Sequence, residues 1–213
     1  MGDFKKRFAK FWKKFWWTVW KDDSFKGWII SIVFLFIVIK FIFFPVLNLA
    51  TGTSLPLAIV ESCSMYHKGN IFSDFDNWWE KHDSKYYDFT ISKLDFQDFN
   101  FKKGFSKGDI LFIVGTKTEK LRKGDVIIFN SGNQENPIIH RIVSIQKDPG
   151  TGEKIFSTIG DNNKGQLNFE KEISQERILG KAVFRIAPSL GWTKLIFFEG
   201  KKLRSERGFC NEN

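Results

Sequence analysis

Between Trp28 and Leu47 the chain runs WIISIVFLFIVIKFIFFPVL, twenty residues interrupted only by Ser31, Lys40 and Pro45. As a helix, a run of that length spans about 30 Å, the thickness of a bilayer's hydrocarbon core. The run therefore predicts one transmembrane anchor over residues 27–48, with a basic segment over 1–26 before it and a separate domain over 49–213 after it. A cleavable secretory leader is the rival reading, because Leu49-Ala50-Thr51-Gly52 offers small residues. Such leaders carry apolar cores of about 7–15 residues, which favours the retained anchor here. Lys40 lies near the outer end of the run, where its long stem can snorkel toward the headgroups, so it is read as a tolerated cation rather than a functional one.

The flanks set the orientation. Of the 33 Lys and Arg in the chain, which give it a formal charge of +9, eight lie within residues 1–26 beside only three Asp. Positive charge on one side of a span keeps that side cytoplasmic. The expectation is a single-pass protein of the cell membrane, its N-terminus cytoplasmic and residues after about 50 extracytoplasmic. Phe4, Phe8, Phe11, Phe15 and Val19 recur at helical spacing, with Trp12, Trp16 and Trp20 widening the face. That pattern suits a helix lying in the membrane interface, or a basic tail that only enforces topology. A nucleic-acid partner is not expected, since the excess charge is explained by the flank.

After the anchor the pattern changes to short apolar bursts at 55–60, 110–114, 126–129, 138–145, 155–159 and 178–186, separated by turn sequences such as Lys107-Gly108-Asp109, Lys123-Gly124-Asp125 and Gly160-Asp161-Asn162-Asn163. This predicts a mainly β domain. Residues 68–103 differ in kind, mixing seven acids with Trp78, Trp79, Tyr86 and Tyr87. They read as an insert, mostly helical or irregular, with short helices at 78–82 and 91–99 packing aromatics on the β domain. A lid or partner-binding surface is the alternative. The 25 Phe and the Ile, Val and Leu runs exclude a disordered chain. Two cysteines, Cys63 and Cys210, cannot build a disulfide framework, so burial rather than a staple is expected to hold the domain, with Cys63 a small buried strand residue.

Three segments carry chemistry-bearing residues: Glu61-Ser62-Cys63-Ser64-Met65, Pro137-Ile138-Ile139-His140-Arg141 and Gly160-Asp161-Asn162-Asn163. A serine hydroxyl is a weak nucleophile until an imidazole takes its proton, and a carboxylate holds that imidazole in the productive tautomer. There is no HExxH, CxxC, P-loop or GxGxxG following a strand, so no metal or cofactor is expected.

The ordered set of SxSM after an anchor, GDIL, GDVIIF, PIIHR, GDNN and a final Gly-Lys-Ala with Pro188 and Gly191 resembles type I signal peptidase, over residues 55–66 and 104–192. It is similar more narrowly to the archaeal and endoplasmic-reticulum type, because His140 stands where bacterial members carry a lysine base. The resemblance implies a coiled antiparallel β domain, Ser64 as nucleophile and His140 as base. It implies Ser62 as an oxyanion donor, an ordinary strand serine being the alternative. His67 and His82 are rival bases. For the acid, Asp161 fits GDNN, yet relatives commonly place the triad acid six residues later, where this chain has Leu167. Asp148, Glu170 and Glu172 therefore stay as further candidates. Met65-Tyr66-His67 also departs from the usual Met-x-Pro. The function implied is a membrane-bound serine endopeptidase removing N-terminal signal peptides, cutting after small residues. Its partners would be preproteins bearing signal peptides, the lipid bilayer and the translocation machinery. The alternative is a catalytically silent relative, a membrane-tethered binding module.

Overall fold

The computed structural model describes residues 2–69, 72–132, 136–204 and 207–212. The chain divides into two compact units, Met1–Ala50 and Thr51–Asn213.

In the first unit, helix α1 (Gly2–Lys21) carries an acid, Asp3, in its first turn and Lys21 in its last, complementing the helix dipole at both ends. Ser24 caps helix α2 (Phe25–Val38) by accepting a hydrogen bond from the Gly27 amide. Gly27 is needed there, because a Cβ would lie 2.4 Å from the Asp22 carbonyl oxygen. Phe15 and Trp16 of α1 pack edge-on against Phe34, and the Ser31 hydroxyl donates to the Val19 carbonyl. The helix continues through a π-turn over Ile39–Phe43 into α3 (Phe44–Thr51). The π-turn falls where Pro45 has no amide to offer and its ring crowds the carbonyl four residues back, so one extra residue in the turn relieves the misfit. From Phe25 to Thr51 this is one apolar helix of 27 residues, long and apolar enough to cross a bilayer.

The second unit is mainly β. Strand β1 (Leu57–Ile59) is followed by the insert helices α4 (Phe75–His82), α5 (Ser84–Tyr87) and α6 (Lys93–Gln97), and then by β2 (Ile110–Val114), β3 (Val126–Phe129), β4 (Ile138–Lys147), β5 (Lys154–Ile159) and β6 (Ile178–Ala187). A last short helix, α7, spans Trp192–Leu195. The strands form one curled antiparallel sheet in the order β1-β2-β6-β3-β4-β5. β3 lies inside it and is buried on both faces. Val126 and Ile128 join Met65, Phe105, Leu111 and Ile113 on one side; Ile127 and Phe129 join Ile138, Ile142, Phe156 and Ile173 on the other.

The insert is helical as its aromatics imply, though in three short pieces; residues 70 and 71 of it lie outside the described residues. Asp74 caps α4, and Ser92 with Asp95 forms a capping box on α6. Trp78, Trp79, Tyr86, Ile91 and Phe96 pack with Val143 and Ile159, so the insert carries its own apolar cluster onto the β4–β5 hairpin.

One expectation is corrected. Cys63 and Cys210 form a disulfide across 147 residues, so the domain is stapled as well as packed. Cys63 is accordingly half-buried in the turn after β1 rather than a free thiol within a strand. A closed loop of that length stabilises by roughly 5 kcal/mol in the chain-entropy picture.

Candidate active site

Residues 61–67 leave β1 as a run of turns, fixed by backbone bonds at both ends. The Val60 amide donates to the Asp109 carbonyl at 2.9 Å, and the Phe105 amide donates to Met65 at 2.9 Å. In between, the Asn162 amide donates to the Ser64 carbonyl at 2.7 Å and the Asn162 side chain donates to the Cys63 carbonyl at 3.0 Å. Gly160 permits this close approach, since a Cβ there would sit 2.8 Å from the Ser64 carbonyl oxygen. The GDNN turn is thus the clamp on the Ser64 backbone.

Ser64 Oγ is 2.8 Å from His140 Nε2 and 3.0 Å from Ser62 Oγ. Ser62 is exposed and Ser64 half-buried, at the floor of a groove of about 900 Å³. His140, on β4, is itself buried, and its Nδ1 is hydrogen-bonded to Glu170 Oε1. Glu170 closes a 3-10 turn over Asn168–Glu170, where its second oxygen accepts the Leu167 amide at 2.7 Å and its side chain is fully buried. A carboxylate on Nδ1 places the imidazole proton there and leaves Nε2 free to accept from the serine hydroxyl.

Asp161 is not beside His140. Adjacent residues of a strand face opposite sides of the sheet, and Arg141 is paired in register with Ile159. The residue two beyond Ile159 therefore comes to the Arg141 side, away from His140. Asp161 receives Arg141 Nε at 2.9 Å and Nη2 at 2.7 Å, the Tyr86 hydroxyl at 2.9 Å and His67 Nε2 at 3.0 Å. Burial alone would push the Asp161 carboxyl up, but the Arg141 guanidinium and the hydrogen bonds from His67 and Arg141 prevail and hold it well below the usual carboxylate range. Burial lowers His67, and it raises Tyr86 well above the ordinary phenol value. The insert reaches the same turn through Lys85, whose ammonium donates to the carbonyls of Asp161 and Asn163 and which burial pushes down to about 8.

The rival bases are accounted for likewise. His67 is stacked on Trp78 with ring centroids 3.6 Å apart, and His82 Nδ1 lies 2.8 Å from the Trp78 carbonyl; neither touches Ser64. Asp148 folds back on its own turn, accepting the Gly150 and Thr151 amides, and Glu172 is exposed. Among the described residues no His, Cys, Asp and Glu cluster has the make-up of a metal site. Lys85 and Tyr86 carried no signal in the sequence beyond lying in an aromatic insert. Glu170 stood only among the lesser candidates, three residues past the position expected from relatives.

A hydroxyl, an imidazole and a buried carboxylate in sequence at the floor of a peptide-sized groove are the equipment of a nucleophilic hydrolase. The sequence is similar to the signal peptidase complex catalytic subunit SEC11 of Lachancea thermotolerans, 32% identical over 102 residues that make up 46% of this chain and 60% of that protein. It is also similar to SEC11 of Zygosaccharomyces rouxii, 30% identical over 102 residues with the same coverage of each chain, and to human SEC11C, 34% identical over 61 residues, 28% of this chain and 31% of that one. The chain thus spans less than two thirds of the curated relatives it matches. No protein-family model matches it. The likeness is to the endoplasmic-reticulum and archaeal type of type I signal peptidase, the type its motifs resemble.

Proposed function

We propose that this chain is a membrane-anchored serine endopeptidase that removes N-terminal signal peptides from exported preproteins, cutting after small residues on the non-cytoplasmic side of the membrane. The observation that carries the reading is the unbroken Ser64–His140–Glu170 chain of hydrogen bonds at the groove floor. In this reading His140 Nε2 takes the Ser64 proton as Oγ attacks the scissile carbonyl, while Glu170 steadies the imidazolium that forms. The Ser62 hydroxyl and the Ser64 amide are the candidate donors to the tetrahedral oxyanion. His140 then protonates the departing amine, and a water deprotonated by the same imidazole releases the acyl group from Ser64. β1 pairs with β2 on one edge only, and Leu57 to Val60 line the groove, so a substrate in extended form can add to the other edge as a strand. The basic 1–26 flank supports a cytoplasmic N-terminus. The names of the relatives, catalytic subunits of a signal peptidase complex, support action within a complex.

The test is cleavage of a preprotein in proteoliposomes, with the product N-terminus sequenced. Wild type is expected to cut after a small residue, and Ser64→Ala and His140→Ala are each expected to lose about 10³-fold or more in rate. Equal cutting by Ser64→Ala would remove Ser64 as the nucleophile, and an inert wild type whose Ser64 resists a serine-directed acylating probe would instead favour the silent binding module.

Gly160 offers an independent check on the geometry. Gly160→Ala forces its methyl against the Ser64 carbonyl and the Asn163 side chain. Displacing the nucleophile by a fraction of an ångström to an ångström is expected to lower kcat by up to about 10²-fold with KM little changed. Steady-state kinetics on a signal-peptide substrate reads both parameters.

A further inference from the structure

The Cys63–Cys210 disulfide joins the immediate neighbour of Ser64 to the end of the chain. It is one of several fastenings on that terminal segment. The Asn162 side-chain amide, besides holding the Cys63 carbonyl, donates to the Asn211 carbonyl at 2.9 Å. Lys202 Nζ donates to the Glu61 carbonyl at 2.7 Å, the Gly208 amide donates to Glu199 at 2.8 Å, and Lys107 pairs with the same Glu199 while donating to the Gly208 carbonyl at 3.3 Å. Lys81 of the insert pairs with Glu212 at 3.6 Å. The described residues of this segment are thus tied at many points to the turn that carries Ser64 and to the rest of the domain.

Its placement gives these fastenings a purpose. Arg207, Phe209 and Asn211 line the same groove as Ser64, His140 and β1. Phe209 rests on Trp192 at 5.0 Å between ring centroids, yet 80% of it stays open to solvent. What singles out Phe209 among the exposed apolar side chains is its place in the groove that holds Ser64 and His140, where its open ring offers an apolar contact to whatever enters; on the peptidase reading that is a peptide.

We propose that the disulfide-fastened C-terminal segment is a wall of the substrate groove, with Phe209 its specificity-determining residue, taking an apolar side chain of the bound peptide. This rests on the proposed peptidase reading for the identity of the occupant. Asn162 links the wall to the nucleophile's own turn, so the segment and Ser64 hold a fixed relation to each other.

The experiment scans a single leucine along an otherwise alanine-substituted signal-peptide substrate, on both sides of the cut, with full-length wild type, Phe209→Ala and Cys210→Ser in proteoliposomes. Wild type is expected to favour leucine at one position. Phe209→Ala is expected to lose that preference through a rise in KM of about tenfold for that peptide alone, with kcat and melting temperature unchanged. Cys210→Ser is expected to raise KM across the series, because the wall is no longer fastened. The same peptides, fluorescently labelled, are titrated onto the Ser64→Ala background, where binding is read without turnover. Leucine-selective binding that Phe209→Ala abolishes, without cleavage by wild type, sinks the peptidase reading and keeps the wall. If Phe209→Ala leaves both KM and binding unchanged at every position, and Cys210→Ser lowers only the melting temperature, the segment is a staple and the proposal is overturned.

Discussion

Glu170→Gln is expected to reduce kcat by about 10³- to 10⁴-fold while the melting temperature moves by no more than a few degrees. The substitution keeps the shape of the side chain and an oxygen for the Leu167 amide. What it removes is the negative charge at His140 Nδ1. Without that charge the imidazole is no longer held in the tautomer that leaves Nε2 free, and the imidazolium formed during attack loses its counter-ion. Single-turnover cleavage together with thermal unfolding separates the two effects. A Glu170→Gln protein that cleaves at the wild-type rate would return the orienting role to another acid.

Asp161→Ala is expected to do the reverse, destabilising the domain by about 3–5 kcal/mol, a fall in melting temperature of about 10 °C. It leaves the fully buried Arg141 guanidinium without its carboxylate, and Tyr86 and His67 without their shared acceptor. The pH dependence follows from the same contacts. Asp161 in the folded protein titrates below its unfolded value, so its stabilisation is complete above about pH 4 and is lost as pH falls toward the lower, folded value. Chemical denaturation at pH 7 and at pH 3 is therefore expected to bring wild type and Asp161→Ala closer together at the lower pH. If Asp161→Ala melts like wild type yet cannot cut, the assignment of the two acids is inverted.

Much of this was legible in the sequence, for identifiable reasons. The apolar run is long enough that a helix able to cross a bilayer is legible from its length, and β2 to β6 follow short apolar bursts separated by turn sequences. Ser64 and His140 stood out because each lies in a short motif beside an apolar strand. The acid did not, because which of two carboxylates meets an imidazole depends on the register of a hairpin and on one turn of 3-10 helix. The register puts Asp161 with Arg141; the turn carries Glu170 three residues past the expected position and onto His140. The meeting of each carboxylate with its partner, Asp161 with Arg141 and Glu170 with His140, is a contact across 20 or 30 residues that no local pattern encodes. The disulfide was hidden for a related reason: two cysteines 147 residues apart have no spacing to read. The insert's aromatics announced a packed cluster, but not that Lys85 and Tyr86 would reach the GDNN turn.

The β4–β5 hairpin sets His140 on one side of a single strand and Arg141 on the other, so chemistry and architecture are separated by one residue. This imposes a reading frame on insertions and deletions. The connection at 148–153 lies outside the paired residues, and chain can be gained or lost there without disturbing the pairing of Arg141 with Ile159. A one-residue insertion between Ile138 and His140 that shifted the register would turn the His140 imidazole to the Asp161 side and the Arg141 guanidinium to the opposite side, leaving Ser64 without its base. Within this hairpin, changes of length are therefore expected to be tolerated only at the tip, and a library that varies the hairpin's length should vary it there and nowhere along the two strands.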